Sequence, residues 1–125
     1  DARRIVVDCL KFGHGAKYDL ISGVVMPDHV HCIIQPAQDA ERVWVSISTI
    51  MRSIKGIAAR RVNQLFGSAG AVWQDESWDR IIRDEDEMVQ KLAYMMHNPV
   101  KAGLVQRPEE YEFLLMSGWD RSIPG

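Results

Sequence analysis

Two histidines flank a single apolar residue at positions 29 to 31. The residues on either side read as strand, and side chains alternate across a strand. His29 and His31 therefore leave the same face, roughly 6.6 Å apart along the backbone. Rings at that spacing can converge on one divalent metal, while Val30 points the other way, toward a core. Sixty residues on, Tyr94 and Asn98 lie four apart on an expected helix and share one face. Two imidazoles, a carboxamide and a tyrosine hydroxyl are the parts needed to break a phosphodiester with a tyrosine nucleophile.

Each part has a plainer explanation. Structural zinc sites, metal hydrolases and ordinary surface histidines all produce a His-x-His. A tyrosine on an amphipathic helix is usually a packing residue. Asn98 could cap a turn beginning at Pro99. Lys91, one turn before Tyr94, reads as solvated or as a phosphate contact. His97 falls off the Tyr94–Asn98 face, and His14 sits between glycines in a loop.

The elements that would position these residues follow from periodicity. Residues 2–11 read as a helix burying Ile5, Val6, Cys9 and Leu10. Residues 18–26 and 29–35 read as strands joined at Met26, Pro27 and Asp28, a turn because proline fixes φ and aspartate tolerates turn geometry. Residues 41–66 read as the longest helix, with Ile47, Ile50, Ile54, Ile57 and Leu65 inward. A strand is expected near residues 76–82. Asp84 is an N-cap for a helix whose first turn holds Glu85, Asp86 and Glu87, favourable at the positive helix end. That helix is expected to end or kink near His97, because Pro99 disfavours helical geometry at Asn98. Tyr111, Phe113 and Trp119 are expected to pack back on the body.

The chain has 125 residues, 46% hydrophobic and 26% charged, which suits one soluble domain spanning residues 1–125. No run is long and apolar enough for a membrane helix, nothing at the start resembles a signal peptide, and the two cysteines form no CxxC. A cytoplasmic protein is expected. Net charge is −2, which argues against a protein that coats nucleic acid, but the distribution matters more than the sum. Arg42, Arg52, Lys55, Arg60 and Arg61 stand against Glu41 in residues 41–66, whereas residues 74–90 are strongly acidic. The two segments are either solvated faces that attract each other or a nucleic-acid surface on the basic helix.

The motifs resemble one family. Val25-Met-Pro-Asp-His-Val-His31 resembles the metal motif of single-tyrosine HUH transposases. Tyr94-Met-Met-His-Asn-Pro-Val-Lys-Ala-Gly-Leu-Val105 resembles the tyrosine motif of one branch, the REP-associated tyrosine transposases. Ser53-Ile-Lys55, Val72-Trp-Gln74 and the stretch from Asp79 to Asp84 are similar to that branch's intervening segments. The resemblance covers roughly residues 3–112.

The resemblance implies an α+β, ferredoxin-like antiparallel sheet with helices on its faces. The element order here fits that pattern with its first strand missing, so the histidine strand should have the strand at 18–26 on one side and nothing from this chain on the other. The resemblance makes Tyr94 the nucleophile and His29, His31 and Asn98 the ligands of Mg²⁺ or Mn²⁺. It implies cleavage and joining of single-stranded DNA through a 5′-phosphotyrosine, on hairpins of repetitive extragenic palindromes, by a monomer or homodimer with no membrane partner. Arg52, Lys55 and Lys101 are the candidate DNA contacts. Two rivals stand beside this reading: a domesticated protein that binds hairpin DNA without cutting, and a zinc hydrolase built on the histidines.

Overall fold

A computed structural model describes residues 2–67 and 82–116. The elements are α1 (Ala2–Gly13), β1 (Tyr18–Val25), β2 (Val30–Pro36), α2 (Ile47–Phe66), α3 (Glu85–Lys101), a 3₁₀ turn (Pro108–Glu110) and β3 (Leu114–Leu115). The three strands form one antiparallel sheet in the order β2-β1-β3. This is the α+β architecture expected, and its helices lie on both faces. Leu10 of α1 packs over Gly23, beside Cys32, on one face, with α2 packed beside α1. Tyr94 of α3 meets His31 on the other. Cys32 and His31 thus point to opposite sides of the sheet, as alternation requires.

The core fills the space between α1, α2 and the sheet and continues under the C-terminal segment. Val7, Leu10, Leu20, Val24 and Ile50 are almost wholly removed from water. In α2 the buried stripe is Ile50, Ile54, Ala58 and Val62, each one turn after the last. Leu65, expected inward, is 59% exposed; it falls off that four-residue spacing at the end of the helix.

α1, β1 and β2 differ from the sequence expectation by one or two residues at their ends, which leaves His29 in the turn before β2, and α2, α3 and β3 differ more. Helix α2 begins at Ile47, not at residue 41. Ser46 caps it, its hydroxyl accepting the Thr49 N–H at 3.1 Å. Residues 37–45 instead form a tight loop in which the Asp39 carboxylate accepts the N–H groups of Glu41 and Val43. Helix α3 runs through Asn98 and Pro99 to Lys101 instead of ending near His97. A proline inside a helix removes one hydrogen bond and costs about 3 kcal/mol. Pro99 offsets part of this by being fully buried. The helix then closes with Ala102 N–H donating to the Asn98 carbonyl. Strand β3 had no sequence signal, being only two residues long. The strand expected near residues 76–82 lies almost entirely outside the described residues, and Ile82 is in no strand.

The C-terminal segment braces the hairpin that carries the histidines. Tyr111 and Phe113 are buried as expected, and Trp119 lies outside the described residues. The Tyr111 hydroxyl donates to the Val25 carbonyl, and the Val25 N–H donates to the Phe113 carbonyl at 3.0 Å. The turn itself closes with the Met26 N–H donating to the His29 carbonyl at 2.8 Å. β2 pairs with β1 on one side. Among the described residues nothing pairs with its other edge, and a cleft of about 1640 Å³ runs beside it.

Candidate active site

His29 is the last residue of the turn and His31 the second residue of β2. Val24 of β1 faces His31 across the ladder. A bulge between Leu20 and Ser22 sets the register that makes this pairing. The imidazole centroids are 4.7 Å apart with the ring planes 80° to each other. Two imidazoles bound to one ion at roughly 2.1 Å, on neighbouring octahedral corners, would have centroids about 4.6 Å apart. The observed centroid separation is close to that value.

The chemistry of each ring is fixed by its neighbours. His29 Nδ1 lies 2.6 Å from Asp28 Oδ1. An ionised carboxylate only accepts, so Nδ1 carries a proton and donates it to Asp28. The hydrogen bond to His29, and then the charge of that ring, hold the Asp28 carboxyl below the usual aspartate range. His31 is pushed below the ordinary histidine value, first by burial and then by the nearby charges of His29 and Lys91. Burial and those neighbouring charges favour the neutral form of His31, which is the form that binds metal.

Tyr94 comes from α3. Asp84 caps that helix, its carboxylate accepting the Glu87 N–H at 2.8 Å. The three acidic residues of the first turn complement the helix dipole. Tyr94 is 54% exposed, and its ring stands edge-on to His31 with centroids 5.7 Å apart. A large aromatic residue left in the open beside a half-buried histidine is not serving the core. His29, His31, Lys91 and Tyr94 all line the cleft.

The other expected residues divide. Asn98 is one turn beyond Tyr94 on α3, half-buried, and is not among the described residues that line the cleft. Among the described residues its Nδ2 is buried without a hydrogen-bond partner, which is costly for a polar atom. It does not cap a turn at Pro99, because the helix continues. Lys55 lines the cleft, whereas Arg52 and Lys101 are exposed outside it. Lys91, Tyr94, Asn98 and Lys101 follow a spacing of three, four and three, one stripe along α3. His97 is exposed, and the His14 ring accepts the Leu20 N–H at 2.7 Å, a loop clasp.

Sequence reasoning passed over Asp28, read only as a turn former, and gave Lys91 no firm place. The available signals were a carboxylate adjoining a candidate ligand and a lysine one turn before the tyrosine. Among the described residues no group of three His, Cys, Asp or Glu side chains converges as a metal site, and no helix is long and apolar enough to cross a membrane.

An antiparallel sheet whose outer strand carries His31, with His29 in the turn before it, is faced by a helix with an exposed tyrosine. The IS200-like transposase family matches residues 9–81, more than half of the chain, and the protein belongs to that family. It is similar to the REP-associated tyrosine transposase of Escherichia coli K12, 27% identical over 107 residues, covering 83% of this chain and 58% of the relative. A Haemophilus influenzae protein provisionally given the same name is 22% identical over 102 residues, covering 77% of this chain and 57% of the relative. The fold is shared with a REP-associated tyrosine transposase solved bound to a REP hairpin, with a TM-score of 0.67 and 24% identity over 91% of this chain and 62% of that one. The chain thus spans less than two thirds of the length of each of these proteins.

Proposed function

We propose that this chain cuts and rejoins single-stranded DNA through Tyr94, on substrates presented as hairpins. The observation that carries the reading is the placement of Tyr94 against His31, with His29 beside it, in one open cleft. A phosphodiester is anionic and repels nucleophiles. A Mg²⁺ or Mn²⁺ ion held by His29 and His31, with the Asn98 amide as third donor, would neutralise that charge and polarise the phosphorus. Imidazole suits Mn²⁺ better than Mg²⁺.

The remaining work falls to the chain's own residues. The Tyr94 hydroxyl must lose its proton as it attacks. Its Oη forms a bond to phosphorus, the P–O3′ bond breaks, and the released 3′ oxygen takes up a proton. The products are a 5′-phosphotyrosine and a free 3′-OH. The ester keeps the phosphodiester energy, so a second 3′-OH can attack and rejoin strands without ATP. Lys91 stands one turn from Tyr94 in the same cleft and can hold a phosphate oxygen; Lys55 can do so from α2. Exposure of Tyr94 suits a polymer substrate that must be threaded past it. A hairpin partner is supported by the relative solved with a REP hairpin.

The zinc-hydrolase reading lacks a third His, Cys, Asp or Glu at the histidines among the described residues. The non-cutting reading is separated by experiment. Incubation with Mn²⁺ and single-stranded hairpin oligonucleotides, followed by a denaturing gel, should give a protein–DNA adduct that disappears with chelator. Hairpin binding with no adduct under any divalent ion would leave only the binding function.

A further inference from the structure

We infer that Asp28 is a positioning residue for the candidate metal site: its carboxylate holds the His29 ring in the orientation and tautomer that direct Nε2 at the ion. The inference rests on the proposed two-histidine site and deepens it. The contact is short, 2.6 Å from Asp28 Oδ1 to His29 Nδ1. His29 needs such a hold. It sits outside the β2 ladder, in the turn, with its side chain 43% exposed. His31 is held differently, half-buried in the strand between the rings of His29 and Tyr94.

The carboxylate is itself well placed to act as an anchor. Its backbone lies inside a turn closed by the Met26 N–H to His29 carbonyl bond, and β1 before that turn is tied to the C-terminal segment through Val25 and Phe113. Asp28 does not join His29 and His31 as a third converging ligand, and its side chain is 86% exposed, so it makes no contribution to the core. The carboxylate fixes the proton on Nδ1 and raises the basicity of the opposite nitrogen. Partners of this kind change metal affinity by about 10–100-fold in metal sites generally.

The test uses the whole chain and Mn²⁺ alone, without DNA. Mn²⁺ affinity is measured by calorimetry for wild type, D28N, D28A and H29A, and the ring tautomer of His29 is read by ¹⁵N NMR in the metal-free proteins. Wild type should show the proton on Nδ1. D28A should lose that preference and bind Mn²⁺ roughly 10–100-fold more weakly, with its melting temperature unchanged. D28N, which still accepts the Nδ1 proton without the charge, should fall between them. An unchanged tautomer or unchanged Mn²⁺ affinity in D28A, while H29A binds poorly, overturns the role of Asp28 and leaves the metal site standing. Mn²⁺ affinity unchanged in H29A overturns the metal site itself, and this inference with it.

Discussion

Replacing Asn98 with alanine should make the metal-free protein more stable and the metal-bound protein weaker. Asn98 Nδ2 is buried and has no hydrogen-bond partner among the described residues. A buried unsatisfied polar group costs about 1–3 kcal/mol, and that penalty is released when the amide is removed. Alanine is also the better helix former by up to ~0.7 kcal/mol, and Asn98 lies within α3. The lost packing of a half-buried amide works against these gains. A net gain of about 1–2 kcal/mol is expected, which for a chain of this length raises Tm by roughly 3–10 °C. Metal acts in the opposite direction. A ligand at one hundred times its Kd stabilises by about 2.7 kcal/mol. Wild type should therefore melt higher as Mn²⁺ is added, and N98A should respond much less. The assay is a thermal melt of both proteins with chelator and across a Mn²⁺ titration. If Asn98 were instead only a packing residue, N98A would lose stability without metal and keep the full Mn²⁺ response. That pair of results would refute the assignment.

Y94F should bind hairpin DNA and melt within about 0.5 kcal/mol of wild type, because only an exposed hydroxyl is lost, yet should form no covalent adduct. Alanine at Lys55 should weaken single-stranded DNA binding and flatten the log–log salt dependence by roughly 0.7. Alanine at Arg52, outside the cleft, should do less, and the reverse order would move the DNA path off the cleft. His31 should impose a pH dependence on stability. Its folded pKa is depressed below the ordinary 6.5, so the unfolded chain binds more protons between the two values. The contribution is fully present above 6.5, and it is lost as pH falls through the folded value. Urea midpoints should fall faster below pH 6.5 for wild type than for H31Q; parallel curves would contradict the burial of that ring.

The positions of the candidate residues could be read from the sequence because they are local. His29 and His31 are two residues apart and Tyr94 is one turn from both Lys91 and Asn98, so short-range spacing brings each group together without knowledge of the tertiary fold. The capped start of α3 was legible for the same reason: Asp84 and three acidic residues are a short-range signal. What failed was long-range. Propensity at Asn98 and Pro99 reads as a helix stop, but burial of the proline outweighs it. The basic run from residue 41 looks helical until Ser46 and the Asp39 loop compete for its first turn. Strand β3 exists only because Leu114 and Leu115 find Gly23 and Val24, a pairing that two residues cannot announce. Asp28 was hidden by its own plausibility as a turn residue, since a side chain can form a turn and hold a neighbouring ring together.

The central claim is that Tyr94 is the nucleophile of a phosphodiester cleavage. It is tested most directly by trapping the adduct on a hairpin oligonucleotide labelled at its 3′ end, digesting with trypsin and locating the nucleotide mass. Residues 92–101 form a peptide whose single tyrosine is Tyr94. The account predicts that the 3′-labelled fragment stays on that peptide, joined through its 5′ phosphate. Label on a peptide carrying Tyr18 or Tyr111, or attachment through a 3′ phosphate, would contradict it.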